Sequence, residues 1–76
     1  MFPSVVRMDH ARRTGLAADE LRVLRLLAEG ETVDVVARRL GVSERTVRRK
    51  TRSACDKVGC ETTIEAIVWA VRHELL

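Results

Sequence analysis

The sequence predicts an all-α domain, and three observations carry that expectation. No stretch sustains the apolar–polar alternation of a half-buried strand, whereas apolar residues recur at spacings of three and four from Leu16 onward. Gly30, Gly41 and Gly59 each follow such a run, at the place where a glycine stops a helix. The chain has 76 residues, enough for one core and no second.

Residues 1–15 read as an N-terminal arm or linker, with Pro3 and Gly15 as breakers, and residues 16–76 as the folded domain. In the arm, Phe2, Val5 and Val6 are expected to pack loosely, and the Arg12-Arg13 pair is either solvated or set against phosphate. The first helix is expected roughly from Ala18 to Glu29, with Leu21, Val23, Leu24, Leu26, Leu27 and Ala28 on a broad apolar face. Its charges are spaced for Asp19 to pair with Arg22 and Arg25 with Glu29.

Thr32 is the expected N-cap of a short second helix that turns Val33, Val36, Ala37 and Leu40 inward and ends at Gly41. Arg38 and Arg39 near its end suit either the helix dipole or a phosphate. Val42 and Ser43 follow, and a third helix runs from Glu44 to Val58 with Ser43 as cap and Gly59 as stop. Two helices joined by so short a turn make a helix-turn-helix. The fourth helix opens with the capping box of Thr62 and Glu65 and continues to about Glu74. Ile64, Ile67, Val68, Val71 and Leu75 form its expected inward stripe, which leaves Trp69 partly exposed beside Ala66, Arg72 and His73. Trp69 then belongs either to an interface or to the domain's own edge.

The charge is local. Residues 45–57 hold Arg45, Arg48, Arg49, Lys50, Arg52 and Lys57 against Asp56 alone, a net +5 in a chain of net +3, so the remainder sums to −2. Arg45, Arg48, Arg49 and Arg52 share one helix face opposite Val47, Thr51, Ala54, Cys55 and Val58. The like-charge pairs at i, i+4 cost about 0.2–0.5 kcal/mol each in an isolated helix, which a solvated face has no reason to bear. A focused positive face calls for a polyanion. Membrane surface fits poorly, because the opposite face lacks bulky apolar residues. Single strands fit poorly too, since the chain has no Tyr, one Phe and one Trp, none of them in the basic window. Duplex DNA is the expected partner, with arginines pairing guanine edges in the major groove and Ser43, Thr46 and the amides that follow Ser43 suited to phosphate.

Other classes find little support. The longest apolar run, Ile67 to Val71, is far short of the roughly 20 residues of a membrane span, and the start lacks a secretory leader, so a cytoplasmic protein is expected. Cys55 and Cys60 lack zinc-finger spacing, and the expected reading is two small thiols at a buried helix end, against redox or metal sensing with His10 or His73. No metal or cofactor is expected. No nucleophile–base spacing, paired carboxylates or phosphate-cradling glycine loop points to an enzyme.

These residues resemble the LuxR/GerE-type DNA-binding domain over residues 16–76. The match rests on Leu16, Glu20, Val23-Leu24 and Leu26 through Gly30, on Ala37 with Leu40, on Ser43 through Arg48, and on Lys57, Gly59, Glu65 and Ala66. Sigma-factor region-four domains share the middle portion and lack the closing segment and fourth helix. The resemblance implies a four-helix cytoplasmic transcription regulator that binds inverted half-sites as a homodimer. Its base readers fall on Arg48, Arg49 and Arg52, and its backbone contacts on Ser43, Arg45, Thr46 and Lys50. The dimer contact falls on the fourth helix, with Trp69, Arg72 and His73 as the expected surface. Ala17 stands in place of the family's capping Thr, Arg22 and Val35 in place of Glu, Lys50 in place of His, and Ile64 in place of Thr. The rival expectation is a protein-interaction module that grips RNA polymerase or a regulatory protein through the fourth helix.

Overall fold

The computed structural model describes residues 15–76; the expectations for Phe2, Val5, Val6, His10, Arg12 and Arg13 lie outside them. Four helices and no strand are present among the described residues: α1 (Ala18–Ala28), α2 (Val33–Leu40), α3 (Glu44–Val58) and α4 (Thr63–Arg72). None is long and apolar enough to cross a membrane.

α3 is the central element and packs against each of the other three. Its N-terminal half contributes Val47 to a cluster with Val23, Val36 and Ala37, which joins α1 and α2. Its C-terminal half contributes Ala54 and Cys55 to a second cluster with Leu16, Leu24, Ala66, Ala70 and Leu75, which joins α1 and α4. The neighbours Val23 and Leu24 therefore serve different clusters, and both are fully buried.

The α2–α3 turn follows from local chemistry. Gly41 takes the left-handed conformation, with φ 69° and ψ 34°, and the Val42 N–H donates to the Ala37 carbonyl at 3.0 Å. Ser43 then caps α3, its Oγ accepting from the Thr46 N–H at 3.1 Å. At α4 the capping box forms in full: Thr62 Oγ1 accepts from the Glu65 N–H, and the Glu65 carboxylate accepts from the Thr62 N–H at 3.0 Å.

Several expectations need correction. α1 stops at Ala28, with Glu29 as its C-cap, and Ala28 is exposed. Thr32 occupies the N-cap position of α2 but its side chain makes no cap bond; its hydroxyl donates to the Asp34 carboxylate instead. Asp19 pairs with Lys50 rather than Arg22, and no Arg25–Glu29 ion pair forms. The largest revision concerns α4, which ends at Arg72 rather than Glu74. Of the stripe expected inward, Leu75 is buried and Ile67 packs against the core, but Ile64, Val68 and Val71 are 73%, 44% and 53% exposed, and the buried positions within the helix are Ala66 and Ala70. Two alanines one turn apart let α4 sit close against α1 and α3, with Ile67 and Trp69 packed at their sides, and Ile64, Val68 and Val71 are turned to the opposite face.

Candidate nucleic-acid interface

The turn and the Ser43 cap start α3, whose outer face is basic. Arg45, Arg48, Arg49 and Arg52 are all exposed on it. Arg48 reaches back one turn to the Glu44 carboxylate at 3.3 Å, an exposed pair of small energetic weight. Among the described residues no acid lies within ion-pair distance of Arg45, Arg49 or Arg52. Spaced at i, i+4 and i+7, these three guanidiniums form an uncompensated stripe along the helix.

The other basic side chains of α3 serve the fold. Lys50, half-buried, is ion-paired with Asp19 of α1, and this ammonium is the first cause that lowers the Asp19 carboxyl below its usual range. Lys57 reaches Glu20 at 2.8 Å. Glu20 is buried, and its Oε1 also accepts from the Ala17 N–H at 2.8 Å, which satisfies the end of α1 that Ala17 leaves without a side-chain cap. Burial alone would raise the Glu20 carboxyl; the Ala17 N–H, Lys57 and the Ser53 hydroxyl outweigh it and hold it below its ordinary value. These two ion pairs clamp α3 to α1 behind the arginine stripe.

At the N-terminus of α3, the Ser43 hydroxyl donates to Thr46 Oγ1 at 3.0 Å while accepting from the Thr46 N–H. Both side chains are thereby committed to the cap, and the Glu44 and Arg45 amides are left at the open end, where a helix favours an anion. Arg48 and Arg52 also line an open cleft of about 730 Å³, together with Leu27, Val33, Thr51 and Cys55. Among the described residues no group of three His, Cys, Asp or Glu is arranged to hold a metal ion.

On α4, Arg72 and His73 are exposed, whereas Trp69 is half-buried and packs against the second core cluster. Its ring stacks on His73 with centroids 4.0 Å apart, and His73 Nδ1 lies 2.8 Å from the Trp69 carbonyl. The Glu44–Arg48 pair was not among the expectations, although its i, i+4 spacing signals it. The Asp19–Lys50 and Glu20–Lys57 pairs join residues 31 and 37 positions apart, and no local pattern signals them.

A family model described as a homeodomain-like domain matches residues 14–55, which span α1, α2, the turn and most of α3. The chain belongs to the homeodomain-like family. Within that helix-turn-helix framework α4 lies beyond the matched segment. The chain is also 37% identical over 71 residues to the transcriptional regulatory protein YdfI of Bacillus subtilis (strain 168). The alignment covers 92% of this chain and 33% of that protein, so the chain spans about a third of its relative's length. No solved structure matches the chain.

Proposed function

We propose that this chain is the DNA-binding domain of a transcription regulator of the LuxR/GerE type, non-enzymatic and cytoplasmic, that lays α3 in the major groove of duplex DNA. The observation that carries this is the stripe of Arg45, Arg49 and Arg52, exposed and without an acid partner, on the second helix of a helix-turn-helix. Retaining like charges at this spacing is unfavourable unless a polyanion neutralises them. The relative's name, a transcriptional regulatory protein, supports the same reading.

Residues 16–76 form the binding domain, and residues 1–15 are its arm. Arg48, Arg49 and Arg52 read base edges, Arg48 by exchanging Glu44 for guanine. Ser43, Arg45 and Thr46 meet the DNA backbone, the two hydroxyl residues through the helix end that they organise. Lys50 reaches phosphate only in competition with Asp19.

The domain binds inverted half-sites as a homodimer through α4. The exposed Ile64, Val68 and Val71 supply the apolar centre of that contact, Arg72 adjoins them, and Trp69 and His73 flank them. RNA polymerase or another regulatory protein is the alternative occupant of this face.

Polarisation titrations with a randomised duplex pool at two salt concentrations, followed by sequencing of the retained DNA, test the reading. Replacing Arg48, Arg49 or Arg52 with Ala is expected to cost about 1–3 kcal/mol and relax preference at one position, while Arg45→Ala weakens all sequences alike and lowers the salt slope by about one. Asp19→Asn is expected to steepen that slope by freeing Lys50. Salt-insensitive binding would overturn the proposal, and equal losses on every sequence for all four arginine variants would overturn the division of roles.

A further inference from the structure

The cleft beside the arginine stripe contains both cysteines of the chain, Cys55 and Cys60, each with a free thiol. They occupy paired positions of one helix-ending motif. Gly59 is left-handed, with φ 73° and ψ 28°; its N–H donates to the Asp56 carbonyl at 3.3 Å, and the Cys60 N–H donates to the Cys55 carbonyl at 2.9 Å. The second bond ties the two residues directly, so standard backbone dimensions keep their Cα atoms within about 7 Å. A disulfide spans Cα separations of roughly 4.4–6.8 Å, and a contact between the side chains at these two positions frequently accompanies this motif; in the reduced chain the Cys60 sulfur lies 4.0 Å from the Val58 carbonyl. Cys60 packs against the cluster to which Cys55 belongs.

We infer that Cys55 and Cys60 form a dithiol modification site, which a peroxide-class oxidant entering the cleft converts to an intrachain disulfide across the end of α3.

The two thiols have different roles. Cys60 is half-buried and open to the cleft, whereas Cys55 is 7% exposed and its S–H points to the Thr62 carbonyl at 3.5 Å. Burial, with Cys60 and Asp56 adding to it, pushes the Cys55 thiol up, so it waits protonated. Cys60, the more exposed of the two, is the first to meet the oxidant. Its thiolate attacks one oxygen of hydrogen peroxide, the O–O bond breaks, and hydroxide leaves to take up the proton that the thiol released; the products are Cys60 sulfenic acid and water. The Cys55 sulfur then attacks the Cys60 sulfur, the S–O bond breaks, and the departing hydroxide takes the Cys55 proton as a second water. Two thiols lose two electrons and two protons, and one peroxide is reduced to two waters. The new bond takes the Cys55 S–H away from the Thr62 carbonyl, beside the cap of α4.

The test is intact mass spectrometry of the whole chain after hydrogen peroxide, followed by alkylation of the remaining thiols. The expected product is a monomer lighter by two hydrogen atoms, with both alkylation sites lost and both restored by dithiothreitol. Cys60→Ser, at the half-exposed position, is expected to keep Cys55 alkylatable only on unfolding and to abolish the lighter species. Cys55→Ser is expected to accumulate a Cys60 sulfenic acid that dimedone traps. Persistence of two independently alkylatable thiols, stepwise oxidation to sulfinic acid without the lighter species, or disulfide-linked pairs of chains would each overturn the assignment.

Discussion

Glu20 is a buried carboxylate, 5% exposed, placed between the Ala17 N–H and the Lys57 ammonium. Against the effect of burial, these two donors and the Ser53 hydroxyl hold it below its ordinary value near 4.5, so the sign of its pH dependence follows. Because the folded state binds its proton less tightly than the unfolded chain does, its stabilisation is complete above that ordinary value. It is lost as pH falls through the lower folded value. Glu20→Gln is expected to flatten the acid limb of the stability–pH curve below about pH 4.5 and to cost about 1–3 kcal/mol at neutral pH. Lys57, partly exposed, can find water and keeps the cost below that of a fully buried pair. Denaturant unfolding at pH 3 to 7 measures this. Asp19, whose carboxyl is also lowered, retains part of the slope in the variant. An unchanged acid limb would show that the Glu20–Lys57 contact adds nothing to folding.

At the scale of the element, the α2–α3 turn depends on one conformation. A Cβ on Gly41 would meet no neighbouring atom, so a substitution there is opposed by the positive φ alone. Gly41→Ala is expected to destabilise by about 1–2 kcal/mol and Gly41→Asn by less, because Asn visits the left-handed region more readily. Equal stabilities in denaturant unfolding would remove this account of the turn. Such a signal was legible because it is local: Gly41, Ser43 and the apolar spacing around them locate the turn, and Thr62 with Glu65 locates the start of α4. The inner face of α4 was not legible in the same way. Ile64, Val68 and Val71 recur with helical spacing, and so do Ala66 and Ala70. Periodicity identifies an apolar face without telling a core from a partner's surface, and bulk favours the wrong choice here. The arginine stripe was legible as charge density, but which cations are already paired depended on Asp19 and Glu20, both distant in sequence.

At the scale of the whole molecule, two core clusters meet along α3, and α4 carries Ile64, Val68 and Val71 outward. Exposed apolar side chains at three positions of one short helix are costly to leave in water, which is why a second copy is their proposed cover. Val68→Glu is expected to leave stability within about 0.5 kcal/mol of the parent, as surface changes do. It is also expected to abolish pairing of the domain on a duplex with two half-sites, as sedimentation would show. Loss of folding would mean that Val68 belongs to the core, and undiminished pairing would take α4 out of the proposed contact.

Ala66 and Ala70 give this arrangement the character of a ruler. In the proposed symmetric pair built on α4, the separation of the two α3 helices is twice the offset from the outer face of α4 to the arginines of α3. That offset is set where two methyl groups meet the core. In that proposed pair, a larger side chain at either position would thicken the spacer and re-space the half-sites that two copies span together, without altering any of the arginines proposed to read bases.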